Sequence, residues 1–366
     1  MIPVQPFNIF SYISKNTNEK LPDGIKCLHY LSWEDAAWDV IKFKKIEKGS
    51  VALIPSFWCV DVVKNMRAHG IVCAHYKCDQ NFQTDEKILI DAIKKYSPNI
   101  IIIFHAVGIK NELLTQNKNW LSELPDDMVI IEDSVHSIIN PSEVKIIRNN
   151  HFIIDSWRKV MPLQGTAIYG KKEDLFWGEP KLSQSIFNKF TVIFFWIIFQ
   201  ILLFLQYISH GRISIFLGNL AEKFMILGYD FIGDGKEASG TFNIFAKLHS
   251  KLDYKKIKKI KRDQVLQYEK LMKDIFKSNE FVQQIRFQGS DIEELRGLPV
   301  RFSLEFADKA LANLRKNGFF VRFELNDSPW SQENKIIFLP LGPHLNNRDI
   351  EKVVEISKSS IELCHQ

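Results

Sequence analysis

Cysteine is scarce in this chain of 366 residues, which has only five, at positions 27, 59, 73, 78 and 364. An odd number cannot all pair within one chain, and wide spacing in a long chain is typical of reduced thiols, so a disulfide scaffold is excluded. Cys73, His75 and Cys78 combine soft ligand types, but no second ligand pair follows at zinc-site spacing. We therefore predict no metal site.

A large excess of charge is also missing. The net charge is +5, with 46% hydrophobic and 25% charged residues, which excludes a disordered chain and is too small to indicate nucleic-acid binding. Residues 1–10 contain no basic segment followed by an apolar one, so we expect no secretory signal and a cytoplasmic location. There are no internal repeats, and the length predicts about two domains.

Charged residues are absent from Phe190 to Gly211, within a region rich in phenylalanine. As a helix these residues would extend about 33 Å, against a bilayer core of about 30 Å. A second apolar segment, 213–231, follows. A single crossing would separate the two halves of a shared site, so we expect a hairpin or interfacial helix giving membrane contact through 190–228 at the inner face, peripheral or monotopic. A buried core helix or a dimer-interface helix is the alternative.

Short apolar runs alternate with helical patterns over the first 170 residues. Because these runs are continuous rather than alternating, they predict buried strands of a mostly parallel sheet with helices on both faces. The predicted strands are 51–55, 71–76, 99–106, 128–134, 151–156 and 166–170. A smaller C-terminal α+β unit follows, with a helical stretch at 247–277, strands at 300–306, 319–325 and 335–341, and a last helix at 347–362 capped by Asn346 or Asn347.

Two chemical groups follow neighbouring strands of this predicted sheet. Ligands bind beyond the carboxyl ends of parallel strands, and Asp133 and Lys159 both lie at such ends. A lysine beside Arg158 can attack an aldehyde, and a partly buried aspartate can hold a pyridine nitrogen protonated. This combination indicates pyridoxal phosphate chemistry. Structural roles for both residues remain the alternative.

Five blocks resemble the DegT/DnrJ/StrS family of pyridoxal-phosphate-dependent sugar aminotransferases, in the right order. They are VALIPSFWC (51–59), the strand ending in His105-x-x-Gly108, IIEDSVHS (130–137), DSWRKVMPLQGTAIYG (155–170) and FLPLGPHLNNRDIEKVVE (338–355). The fourth is similar to a branch of the family with a Ser-x-Arg-Lys lysine block.

The resemblance implies the α/β fold of the fold-type I transferases, with an apolar helical insertion. The expected division is an N-terminal arm (1–24), a large cofactor-binding domain (25–180), the insertion (181–238) and a small C-terminal domain (239–366). It also implies a homodimer.

The resemblance further assigns roles to single residues. Lys159 would attach to the cofactor aldehyde and move protons, and Asp133 would pair with the ring nitrogen. His136 would lie near the phenolic oxygen of the cofactor, Ser156 near its phosphate and Trp58 against its ring. Substrate contacts are expected from His105 and Arg158, although a satisfied structural histidine is an equal alternative for His105.

Two regions depart from the family pattern. The first helix of the family opens with small residues that bind phosphate, whereas here Leu31 to Ala36 offer only Ser32 for that role, beside Trp33, Glu34 and Asp35. The family's Asn-x-Arg segment is missing from 233–243, where Lys236 or Asn243 could substitute.

The sequence therefore predicts an aminotransferase that moves an amino group from an amino-acid donor to a nucleotide- or lipid-linked keto sugar in polysaccharide or glycan synthesis. A membrane-docked, non-catalytic relative acting as a binding or assembly partner is the first alternative. A related sugar dehydratase is the second, but family members with that activity tend to lack the lysine.

Overall fold

The computed structural model of the protein describes residues 5–14, 19–116, 119–178, 180, 186–209, 211–232, 237–278, 281–319 and 321–362. Its strands are β1 (Ile25–Tyr30), β2 (Val51–Pro55), β3 (Val72–Tyr76), β4 (Ile100–Phe104), β5 (Val129–Asp133), β6 (His151–Ile154), β7 (Thr166–Lys171), β8 (Val282–Gln284), β9 (Gly297–Phe302) and β10 (Lys335–Pro340).

Helices cover both faces of the first sheet and build most of the C-terminal half. They are α1 (Trp33–Phe43), α2 (Val60–Ala68), α3 (Glu86–Tyr96), α4 (Glu112–Thr115), α5 (Trp157–Val160), α6 (Ile186–Ile208), α7 (Gly211–Tyr229), α8 (Asn243–His249), α9 (Tyr254–Ser278), α10 (Leu304–Lys316) and α11 (Asn347–Glu362). Short 3-10 turns connect several of them, including Ala106–Gly108 after β4.

A seven-stranded sheet in the order β1-β7-β6-β5-β4-β2-β3 forms the first half. Strands β3, β2, β4, β5 and β6 are parallel, whereas β7 is antiparallel to both β6 and β1. Each central strand is buried on both faces, as the continuous apolar runs predict. Register brings Phe104, Asp133 and Ile154 side by side at one edge, so the segments after β4, β5 and β6 meet there.

The second sheet has the antiparallel order β10-β9-β8, and α9 packs against β8. Helix α11 packs against α9, and α10 packs against α11. One hydrophobic cluster runs from Leu28 to Ile361 and joins the two sheets. The proposed domain boundaries therefore stay a prediction, since the core is continuous across them.

Most predicted elements are confirmed, including all six strands of the first half and the last helix. Asn346 caps α11, since its side-chain oxygen accepts from the amides of Arg348 and Asp349. The strand predicted at 300–306 is wrong beyond Phe302, because α10 begins at Leu304. The helical stretch at 247–277 is divided into α8 and α9, and β1 and β8 were not predicted.

The strand predicted at 319–325 is also wrong over its described residues. The Phe319 amide closes the end of α10 on the carbonyl of Leu314, and Leu325 has a left-handed backbone with φ of 45°. One backbone bond, from the amide of Glu324 to Ile336, links the segment to β10. The segment is therefore a loop whose apolar side chains mimic a strand in sequence.

The apolar insertion is an antiparallel pair of helices. The Ser214 hydroxyl donates to the carbonyl of Gln206 at 2.9 Å near the turn, and Gly228 lies against Phe195 at the open end. The inner face packs Phe199, Leu203 and other apolar side chains of the pair together. The outer face is exposed to solvent.

Candidate active site

Lys159 lies in α5, directly beyond the end of β6. Trp157 anchors this short helix, because its indole is fully buried and its amide donates to the carbonyl of Gly165 at 2.9 Å. The Lys159 side chain is 18% exposed, and its Nζ lies 3.9 Å from Oε1 of Glu324. The charge of Lys159 opposes the rise that burial causes in the pKa of nearby Asp133, and it adds to the fall that burial causes in the pKa of His136. One amine thus faces several titratable groups from different elements.

Lys159 opens into a cleft of about 990 Å³, here called the Lys159 cleft. Its inner wall contains Cys59, Arg158 and Glu324, and α7 contributes Tyr229. Further polar residues on its wall are Glu34, Asp61, Lys64, Asp230, Arg322 and Asp327. The cleft is large enough for a small organic cofactor together with part of a substrate.

Asp133 ends β5 and is 3% exposed. Its Oδ2 accepts from the indole N–H of Trp58 at 2.6 Å, and its Oδ1 accepts from the amide of Val135 at 3.2 Å. Burial raises the pKa of Asp133 to about 6, against the opposing effects of Trp58, Val135 and Lys159. The group can therefore exchange a proton near neutral pH with a base of similar pKa.

His136 is buried and held in one tautomer by its neighbours. Its Nδ1 accepts from the amide of Val107 at 3.0 Å, which places the proton on Nε2, 3.3 Å from Oε1 of Glu324. Burial lowers the pKa of His136 to about 4, with Arg296 adding to this and Glu324 opposing it. His136 is thus neutral at physiological pH.

The loop after β4 explains the His-x-x-Gly pattern. Val107 has a left-handed backbone with φ of 59°, which is unusual for a β-branched residue, and its carbonyl accepts from the amide of Arg296. Gly108 follows at φ of 89°, where a Cβ would lie 2.4 Å from the carbonyl oxygen of Glu294. Glycine is therefore required at position 108 both by its left-handed backbone and by the lack of space for a Cβ.

Sequence reasoning missed two charged residues of the C-terminal half. Arg296, just before β9, donates from Nη1 to Oε1 of Glu324 at 3.0 Å, and both side chains are almost fully buried. Burial raises the pKa of Glu324, but Arg296, His136 and Lys159 together hold it well below its usual range. The only available signal concerned Glu324, which with Arg322 is one of two charged residues within the apolar run 319–325.

His105 is not brought to the Lys159 cleft. Its Nε2 donates to Oε1 of Glu132 at 2.8 Å, and its Nδ1 accepts from the amide of Asn111 at 2.9 Å. His151 also approaches Glu132, at 3.2 Å, on the face of β5 opposite Asp133. Both ring nitrogens of His105 are thus engaged, and the substrate contact predicted for it has no support among these bonds.

Ser32 caps α1. Its hydroxyl donates to Oδ2 of Asp35 at 2.6 Å and accepts from the Asp35 amide at 3.2 Å. The other oxygen of Asp35 accepts from the amide of Ser239, and burial raises the pKa of Asp35 to about 7. The predicted phosphate contact of Ser32 stays a prediction, and its hydroxyl is already engaged.

The remaining predicted residues take different positions. Ser156 is buried at the start of α5 and forms no cap hydrogen bond. Arg158 lies over the ring of Tyr229, with 4.3 Å from Cζ to the centroid. Asn243 is exposed at the start of α8, and Lys236 lies outside the described residues. Among those described, no group of three metal-ligating side chains occurs.

Comparison with solved structures identifies the fold. Spr1654 from Streptococcus pneumoniae, assigned as a sugar aminotransferase, superposes with a TM-score of 0.61 at 14% identity, covering 100% of this chain and 98% of its own. The chain has the fold-type I aminotransferase fold. DesV of S. venezuelae gives 0.58 at 12% identity, covering 92% of this chain and 85% of its own.

NtdA from Bacillus subtilis is also structurally similar to this chain. It superposes with a TM-score of 0.59 at 11% identity, covering 92% of this chain and 73% of its own. NtdA was solved with bound PMP, and Spr1654 was solved in apo, PMP and PLP forms. No family model and no curated protein sequence matches the chain.

Proposed function

We propose that this protein is a pyridoxal-phosphate-dependent aminotransferase that moves an amino group from an amino acid to a keto sugar. One observation carries the proposal: Lys159 and buried Asp133 follow adjacent parallel strands and act on each other electrostatically beside a cleft. The fold shared with the sugar aminotransferases adds support.

The residues present fit the cofactor. Lys159 supplies a primary amine, Asp133 a carboxyl whose pKa of about 6 suits a shared proton with a pyridine nitrogen, and Ser156 a hydroxyl not used in capping. When bound, the cofactor supplies an aldehyde and an electron-withdrawing ring. Lys159 then carries protons to and from the substrate carbon, and Glu324 holds the lysine in place through its charge.

Visible absorbance with added pyridoxal phosphate tests this assignment. Wild type and the exposed-lysine control Lys172→Ala should form the absorbance band of a lysine-bound cofactor, whereas Lys159→Ala should not. Borohydride reduction and peptide mass analysis should locate the attached cofactor on Lys159. Equal spectra for Lys159→Ala and wild type would exclude the catalytic assignment.

A non-catalytic relative is the second candidate, because of the engaged Ser32 hydroxyl and the bond between Trp58 and Asp133. These contacts fill positions where the resemblance expects cofactor contacts. The same titration decides between the two candidates: a wild-type protein that neither forms the band nor is stabilised by the cofactor is the non-catalytic relative.

We also propose that the α6–α7 pair attaches the enzyme to the cytoplasmic face of a membrane, where a lipid-linked sugar is accessible. Residues 189–208 have a mean hydropathy of 2.2, and α6 is the one described helix apolar enough to cross a membrane. Its exposed stripe includes Phe194, Ile197, Ile201 and Phe204, each 45–58% exposed. The chain enters and leaves the antiparallel pair at the same end, next to the rest of the protein, which favours monotopic attachment over a helix that crosses the membrane.

Vesicle flotation tests this attachment. Wild type should float with phospholipid vesicles, Phe194→Glu/Ile201→Glu should stay in solution, and Leu266→Glu, which alters a 51% exposed leucine on α9, should float like wild type. If the double variant instead changes a dimer into a monomer without lipid, the stripe is a subunit interface. The homodimer itself stays a prediction.

A further inference from the structure

The Lys159 cleft contains two guanidinium groups that have no carboxylate at ion-pair distance among the described residues. Arg158 and Arg322 both line the cleft with Lys159. Among the described residues, neither guanidinium forms an ion pair with a carboxylate, whereas Arg296 is paired with Glu324 at 3.0 Å. Arg322 has an exposed side chain, although its charged end is largely surrounded by protein atoms. Neither guanidinium is thus neutralised by a carboxylate in direct contact with it.

Tyr229 at the end of α7 joins these two arginines. Arg158 stacks on its ring, and Arg322 and the Tyr229 oxygen attract each other electrostatically. Burial raises the pKa of Tyr229, but Arg158, Lys159, Arg322 and Arg296 together lower it to about 8. The phenolic oxygen therefore lies where the fields of four cations converge.

Acidic groups do not cancel this field at Tyr229. Glu324 pairs with Arg296, His136 and Lys159 and attracts Arg322 only at longer range. Asp61 is paired with Lys64 at 3.1 Å. Asp230, Glu34 and Asp327 also line the cleft, but the four largest charge effects on Tyr229 all come from cations.

We propose that Arg158, Arg322 and Tyr229 form a binding site for an oxyanion of the substrate. Guanidinium groups present paired N–H donors that match carboxylate and phosphate oxygens, and a phenol adds one more donor. The inference rests on the proposed function and specifies its substrate: the anion is the carboxylate of the amino donor or a phosphate of the sugar acceptor. The α6–α7 pair thereby contributes a residue to substrate recognition.

The ultraviolet titration of Tyr229 reports on this site without activity. In the full-length protein without cofactor, a tyrosine should ionise near pH 8, and Tyr229→Phe should lack this transition. A bound oxyanion offsets the positive field, so it should raise the pKa of Tyr229. Inorganic phosphate and glutamate are added separately, and the one that moves the transition identifies the source.

Arginine variants complete the test. Arg322→Gln should weaken binding of the effective anion by about tenfold or more, since hydrogen bonds to charged groups are strong. Arg348→Gln, at an exposed arginine on α11, should bind like wild type. The proposal is overturned if neither anion moves the titration or if Arg322→Gln binds as wild type. Cofactor attachment to Lys159 is measured separately, so failure of this site is distinguishable from failure of the proposed function.

Discussion

Glu324→Gln removes the one negative charge from the buried cluster of Arg296, His136 and Lys159. At an effective dielectric constant of about 20, the attraction of Glu324 is about 5.5 kcal/mol for Arg296 at 3.0 Å and about 4 kcal/mol for Lys159 at 3.9 Å. Desolvation of Glu324 offsets part of this. Removing one partner of a buried pair typically costs about 3–5 kcal/mol, which is the loss we expect.

Urea unfolding measures this loss as a change in the free energy of unfolding. Glu333→Gln, at an exposed glutamate, is the matched control and should change stability by less than about 0.5 kcal/mol. The double variant Arg296→Met/Glu324→Gln should recover part of the loss, because it no longer buries an unpaired guanidinium. A cost for Glu324→Gln as small as that of the control would refute the assignment of Glu324 as the central counter-ion.

The pH dependence of stability at acidic pH gives an independent check of the charge on Glu324. The folded-state pKa of Glu324 is lowered, so its contribution is present above the ordinary glutamate pKa and is lost as pH falls toward the folded value. The stability difference between wild type and Glu324→Gln should therefore shrink below about pH 4. A difference that is constant with pH would contradict a charge-based role.

Two further predictions concern backbone space and a buried acid. Gly108 and Gly49 have nearly the same φ, 89° and 90°, but a Cβ added at Gly108 meets backbone atoms and a Cβ added at Gly49 meets none. In urea unfolding, Gly49→Ala should lower the free energy of unfolding by about 1–2 kcal/mol, and Gly108→Ala should lower it by about 1–3 kcal/mol more. Asp35 has a raised pKa of about 7, so its contribution to stability falls as pH rises from about 4 through 7. Relative to wild type, Asp35→Asn should gain about 2–3 kcal/mol between pH 5 and pH 8 in urea titrations, and equal pH profiles would contradict the raised pKa.

The first sheet was predictable because its central strands are buried on both faces. Four isoleucines followed by a phenylalanine, as in β4, are a short β-branched apolar run of the kind that a strand buried on both faces requires. The edge strand β1 contains Lys26, Cys27 and His29, so it lacks that pattern and was missed. The segment 319–325 has the apolar pattern of a buried strand but lacks the backbone hydrogen bonds of a strand pair, since tertiary contacts determine its path.

The residues of the candidate site were predictable only where they lie at the carboxyl end of a strand of the first sheet. Asp133 and Lys159 could be paired from sequence, because the carboxyl ends of parallel strands share one edge. Arg296 and Glu324 could not, since they reach the site from loops more than 130 residues beyond Lys159. The two histidines also separate in the fold: His136 faces Glu324, and His105 faces Glu132 on the other side of β5.

The ion cluster has a consequence for motion. Glu324 and Arg296 belong to the C-terminal half, whereas His136 and Lys159 follow strands of the first sheet. The ion pairs of Glu324 therefore join the two halves beside the Lys159 cleft. Hinge opening there would separate buried charges, which salt screens only weakly. Separation of the two halves at this point would therefore require breaking the ion pairs of Glu324 with Arg296, His136 and Lys159.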